Sequence, residues 1–205
     1  HNGYAPVARI VLGDPKAKTY SDDEFAACFL GASVYVERNL QTTKADLLKY
    51  APRGGKNIEL HVTEYGPLVY PIRPLQAAED AAWNRMLVGA LYQACLFNVF
   101  AREPKLTSAN HLPLHQDVFG ALIGVHYSFF TGPTRWRNIV FHVFGMYAKM
   151  AGRDVLGVQV ESPTYSTPAM GIVPALEQVP YLDVGAYRAR DGKHLTLFLI
   201  NRDVR

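Results

Sequence analysis

Apolar and polar positions divide the chain into two textures. In the first, Ser21-Asp22-Asp23-Glu24 has capping-box spacing, a hydroxyl followed three residues later by a carboxylate. Phe25, Phe29, Ala32, Val36 and Leu40 then recur at helical spacing and predict a long helix to about Tyr50, ended by Pro52 and Gly54-Gly55. Residues 57–63 are short and β-branched toward their end, and read as a strand running directly into Glu64. Pro67 and Pro71 impose an extended loop. A second helix is expected over 78–102, with Trp83, Leu87, Leu91, Ala94 and Asn98 on one face. Met86, Ala90 and Phe97 widen that stripe. Another short strand is expected over 105–110. A less regular stretch rich in His and aromatics then leads to a third helix near 138–151.

Helix, strand, helix, strand, helix is the order of βα units and a parallel sheet. Glu64 and Asn110 stand where two successive strands end, on the rim that carries the active site in parallel barrels. After Gly152 the texture changes. Leu156, Val158 and Val160 alternate with other residues, and Pro163, Pro168 and Pro174 break the path. Residues 181–189 and 194–201, joined through Asp191-Gly192, read as a hairpin with a two-residue turn. The boundary between the two textures falls near Arg153.

Composition narrows the class. The 205 residues are 49% hydrophobic and 19% charged, a globular and not a disordered balance. A formal net charge of +3 with scattered Lys and Arg excludes a nucleic-acid or membrane-surface run, and no stretch is long and apolar enough to span a membrane. Cys28 and Cys95 each lie in an apolar helical stretch and read as buried free thiols, which mildly favours a reducing, cytoplasmic compartment. Both chain ends look cut from something longer.

Few motifs compete for chemistry. There is no His-Glu-x-x-His, no Cys pair, no glycine-rich phosphate loop and no Gly-x-Ser-x-Gly elbow. The seven histidines are spread out without ligand spacing. His61 sits three residues before Glu64, so strict strand alternation puts it on the opposite face, packed against a helix. Glu64 ends a strand and is followed by Tyr65 and Gly66. Taken alone, that motif favours a solvated loop glutamate over a catalytic one.

Four segments shift that balance. Val62-Thr63-Glu64-Tyr65-Gly66, Glu79-Asp80-Ala81, Trp136-Arg137-Asn138-Ile139-Val140-Phe141, and the pair Val179-Pro180-Tyr181-Leu182-Asp183-Val184 with Leu195-Thr196-Leu197-Phe198-Leu199-Ile200-Asn201-Arg202 together resemble the C-terminal half of an α-L-arabinofuranosidase of glycoside hydrolase family 51. The likeness covers nearly the whole chain, and the last pair is its most specific part. It implies a partial (β/α)8 TIM barrel over 1–152, followed by part of an antiparallel β-sandwich domain over 153–205. It implies retaining hydrolysis of terminal α-L-arabinofuranosyl residues from arabinose-containing glycans, with Glu64 as nucleophile. The acid/base glutamate follows an Asn on an earlier strand of the family, a segment these residues do not contain. His1 and Tyr4 resemble a pocket-lining His-x-Tyr segment, with the Tyr one residue later than usual. Tyr65 replaces the usual Trp after the nucleophile, and Asn110 and His111 fall near a substrate-contacting Ala-Asn segment. The two-carboxylate chemistry needs no metal or organic cofactor. Family members are often hexamers, so the resemblance allows a homo-oligomer. A related endoglucanase or β-xylosidase, or a non-catalytic carbohydrate-binding or assembly chain, remains open at this level.

Overall fold

The computed structural model describes residues 3–4, 21–66, 83, 86–112, 114, 122–170 and 173–205. The elements are β1 (Gly3–Tyr4), α1 (Asp22–Tyr50), β2 (Leu60–Gly66), α2 (Leu87–Arg102), β3 (Leu106–His111), β4 (Ile123–Ser128), β5 (Gly132–Arg137) and α3 (Ile139–Ala148). Six short strands complete the order with β6 (Asp154–Leu156), β7 (Thr164–Thr167), β8 (Leu176–Pro180), β9 (Leu182–Arg188) and β10 (Leu195–Asn201) after the β4–β5 pair.

Helix α1 starts where its capping box predicts. The Glu24 N–H donates to Ser21 Oγ (3.2 Å), and the Ser21 N–H donates back to Glu24 Oε2 (2.8 Å). The helix stops at Ala51, and Arg53, Gly54 and Gly55 all take positive φ in the tight turn beyond it. Phe25, Phe29, Ala32, Val36 and Leu40 are all buried. Helix α2 is buried more widely than one stripe would allow, because Tyr92, Cys95, Leu96 and Val99 are also enclosed. It packs against α1 and α3 and also against β9. The part of the expected second helix between 78 and 82 lies outside the described residues.

The barrel and sandwich expected from sequence do not form. Among the described residues the strands divide into two three-stranded and two two-stranded sheets. The order β1-β2-β3 is parallel but has only three strands, whereas barrel closure takes eight tilted strands in consistent stagger. Beyond Gly152 the sheets are β10-β9-β6 and β7-β8, all antiparallel. A sandwich would cover the inner face of β9 and β10 with a second sheet. Here that face lies on helices instead: Phe198 stacks on Tyr147 of α3 at 4.0 Å, and Asn98 of α2 occupies the space a side chain at Gly185 would need. The result is a small α/β domain.

Two further details differ from expectation. The β9–β10 connection is not a two-residue turn. Pairing ends at Arg188 and Leu195, the Ala189 N–H donates to His194 O (2.9 Å), and Gly192 takes φ +71° within the longer loop. The irregular stretch before α3 contains the β4–β5 hairpin.

An ionic cluster joins the helices to the last strands. Asp183, 6% exposed, accepts from Asn98 Nδ2 (3.1 Å) and Arg102 Nη1 (3.1 Å), with Arg202 Nη2 at 3.5 Å. Arg102 also pairs with Glu37 of α1 (2.9 Å). Arg202, 2% exposed, donates to Pro180 O (3.1 Å) and Ser33 Oγ (3.2 Å).

Candidate functional site

The parallel sheet has one face on the helical core and one face without helices. Val62, Tyr65, Leu106 and Ala109 belong to or pack on the core that α1 and α2 enclose. His61, Thr63, Glu64 and Asn110 are exposed. This sorting depends on two compensating register shifts. Leu60 pairs with Leu106 but His61 pairs with Ser108, so Thr107 is the extra residue on β3. Val62 then pairs with Ala109 but Tyr65 pairs with His111, so Thr63 and Glu64 together oppose Asn110. A bulge of this kind re-aims side chains, and bulges occur often beside active sites. It lets Val62 and Tyr65, three residues apart, both reach the core, while Thr63 and Glu64 both stay outside.

Glu64 therefore stands near the C-terminal end of the middle strand of the sheet. On one side β1 pairs Tyr4 with Gly66, and on the other β3 brings Asn110 opposite the bulge. Gly66 permits a close crossing, because a Cβ there would lie 2.5 Å from the Leu112 carbonyl oxygen. The Leu112 N–H donates to Tyr65 O at 2.8 Å, fixing the exits of β2 and β3 together.

Tyr65 and His111 are placed differently from Glu64. Tyr65 is 2% exposed, with its ring edge-on to Phe100 (4.9 Å) and His111 (5.4 Å). Burial pushes its phenol well above the ordinary tyrosine range, and Gln93 beside it offsets only part of that. His111 also meets the Phe144 ring at 4.9 Å. Both rings serve the helix-side packing that holds the strand ends, on the other side of β2 from Glu64. His1 lies outside the described residues, and Tyr4 is placed through its backbone pairing alone.

His61 corrects an expectation. It does not pack on a helix. Its side chain is 52% exposed, Nδ1 lies 2.8 Å from Ser108 Oγ, and Nε2 lies 3.6 Å from Glu59. The bulges replace strict alternation, so His61 and Glu64 share the exposed face.

A feature that sequence reading missed is the hairpin following β3. Its Trp136 indole lies across Gly124, filling the space a Cβ would take, and donates from Nε1 to Asn138 Oδ1 (2.8 Å). The pairing of an isolated Gly with an aromatic two residues before a helix was the available signal, obscured by the aromatic-rich texture around it.

Cys28 and Cys95 are free and buried, and burial raises both thiols to about 11. They are inert as nucleophiles at neutral pH. Among the described residues no group of three or more His, Cys, Asp or Glu could hold a metal ion, and no helix is long and apolar enough to cross a membrane. A cavity of about 360 Å³ lies over the ionic cluster, lined by Val34, Val158, Val160 and Gln178 together with Arg102 and Asp183. Its charged groups are already paired with one another. No protein-family model matches the chain, and no curated protein is significantly similar to it.

Proposed function

We propose that the chain carries the nucleophile of a retaining glycoside hydrolase that removes terminal α-L-arabinofuranosyl residues from arabinose-containing glycans, with Glu64 in that role. The observation that supports the reading most is the bulge at Thr63-Glu64, which exposes a carboxylate at the end of the central parallel strand, between the strand bearing Tyr4 and the strand bearing Asn110. The four segments resembling family 51 supply the substrate class. In this reaction the Glu64 carboxylate attacks the anomeric carbon as the glycosidic bond breaks, and a second carboxylic acid protonates the departing oxygen. Water, deprotonated by that same second group, then releases the sugar from the glycosyl ester. Retaining geometry sets the two carboxyl groups about 5–5.5 Å apart. By the resemblance, the second group comes from an earlier strand not contained in these residues.

The test is Glu64→Ala in the full-length enzyme, assayed on an aryl α-L-arabinofuranoside. Turnover should vanish, and azide should restore it by taking the vacated place and yielding the inverted glycosyl azide. A folded variant with near-normal turnover would sink the assignment. A panel of aryl glucosides and xylosides separates the arabinofuranosidase reading from an endoglucanase or β-xylosidase.

A further inference from the structure

The β4–β5 hairpin is the part of the molecule with exposed chemistry that the Glu64 site does not use. It follows β3 along the chain, after the strand end that carries Asn110 and His111. Trp136 is 38% exposed although its ring is seated on Gly124 and tied to Asn138. That seat and that hydrogen bond fix the orientation of a broad aromatic surface before any ligand arrives, which removes an ordering cost from binding. The negative face of such a ring suits the polarised C–H groups on the flat side of a sugar.

Charge adds a second, independent observation. Residues 122–153 contain no Asp or Glu, but do contain Arg135, Arg137, Lys149 and Arg153. Neither Arg135 nor Arg137 forms an ion pair among the described residues, and Arg137 lies over the Phe141 ring at 5.0 Å. Both are exposed on β5, one residue to either side of Trp136. Alternation puts them on the opposite face of the hairpin, but an unneutralised pair acts over about 8 Å at physiological ionic strength.

We propose that this hairpin is a binding arm for a polysaccharide chain carrying uronic-acid carboxylates, with Trp136 as the stacking platform and Arg135 and Arg137 as the source of carboxylate preference. The ligand class rests on the glycosidase reading above. At the hairpin tip Phe129 and Phe130 are 98% and 93% exposed, which would also suit insertion into a lipid surface. Insertion does not call for a hydrogen-bonded indole seated on a glycine, so the glycan is the better match.

The experiment measures binding of the full-length protein to a neutral arabinan, to an arabinan attached to a uronic-acid backbone, and to phosphatidylserine-containing vesicles. Circular dichroism verifies each variant, and Trp136→Leu keeps apolar cover over Gly124. The carboxylated polymer should bind more tightly at low salt and lose its advantage as salt rises. Trp136→Leu should weaken both polymers about tenfold, the scale of one aromatic stacking contact, while Trp136→Phe keeps most of the affinity. Arg135→Gln with Arg137→Gln should abolish only the carboxylate preference. Hydrolysis of the aryl arabinofuranoside should be unchanged in all of these. Unaltered binding in Trp136→Leu, equal affinity for the two polymers at low salt, or capture by vesicles in place of glycans overturns the proposal. Binding is read without turnover, so a chain that binds but does not hydrolyse sinks the Glu64 reading alone.

Discussion

Removing the Asp183 carboxylate tests how the last strands are held to the helices. Asp183 is the acceptor shared by Asn98, Arg102 and Arg202, at 3.1, 3.1 and 3.5 Å. In Asp183→Ala, Arg102 keeps Glu37 at 2.9 Å and retains access to water, being 27% exposed. Arg202 has no such outlet. At 2% exposure it keeps only the neutral oxygens of Pro180 and Ser33. Breaking a buried pair from one side costs about 3–5 kcal/mol, because the surviving charge stays out of water. At roughly 2–4 °C per kcal/mol for a chain of this size, the melting temperature should fall by roughly 6–20 °C. The control is Asp154→Ala, which breaks a pair with Arg188 at 3.3 Å whose members are 56% and 52% exposed. That loss should stay below about 1 kcal/mol. Urea titrations of both variants with an unchanged slope give the comparison. If Asp183→Ala costs no more than Asp154→Ala, the cluster is not a buried anchor and the account above is wrong.

The remaining expectations concern the thiols and the strand crossing. Cys28 and Cys95 have thiols raised from 9.0 to about 11 in the fold, so the folded chain keeps protons that the unfolded chain releases. Their contribution to stability is complete below pH 9 and is lost as pH rises through 11. The urea midpoint should drop across that window, and the drop should shrink in the Cys28→Ala/Cys95→Ala variant. A chromogenic disulfide reagent at pH 8 should label neither thiol until the chain unfolds, and rapid native labelling would contradict their burial. Gly66→Ala puts a Cβ against the Leu112 carbonyl, which cannot swing aside as a side-chain tip would. It should cost about 1–3 kcal/mol in urea unfolding, and a neutral result would show that the crossing at Gly66 is looser than described.

Local rules read best where they acted on contiguous residues. The capping box at Ser21 set the start of α1, and the 3.6-residue spacing of Phe25 through Leu40 identified its buried face. Strands β2 and β3, helix α3 and the β9–β10 pair were likewise visible as periodic segments. What failed was global. A strand-helix order identifies parallel pairing but not how many strands assemble, and the barrel inferred from it does not form. Nor does the alternation of β9 and β10 show whether a sheet or a pair of helices will cover their inner face. At the site, Glu64 was legible as a strand-end carboxylate. His61 was misplaced because alternation assumes an unbroken register, and a bulge leaves no mark in composition. Tyr65 and His111 read as neighbours of Glu64 in sequence, yet they turn inward, because Phe100 and Phe144, far along the chain, offer them an apolar seat.

The bulge at Thr63-Glu64 has a further consequence. Substitutions change what a strand presents, whereas insertions and deletions change which side presents it. At this point β2 is half a repeat out of phase with itself: before the bulge the core takes Val62, and after it Tyr65. Shortening the strand by one residue here would restore phase and exchange the roles of its last residues, drawing a carboxylate toward the helices and pushing a tyrosine into water. The segment is therefore tolerant of changes in chemistry on its outer side but intolerant of changes in length. Its length is part of the information that keeps the carboxylate outside.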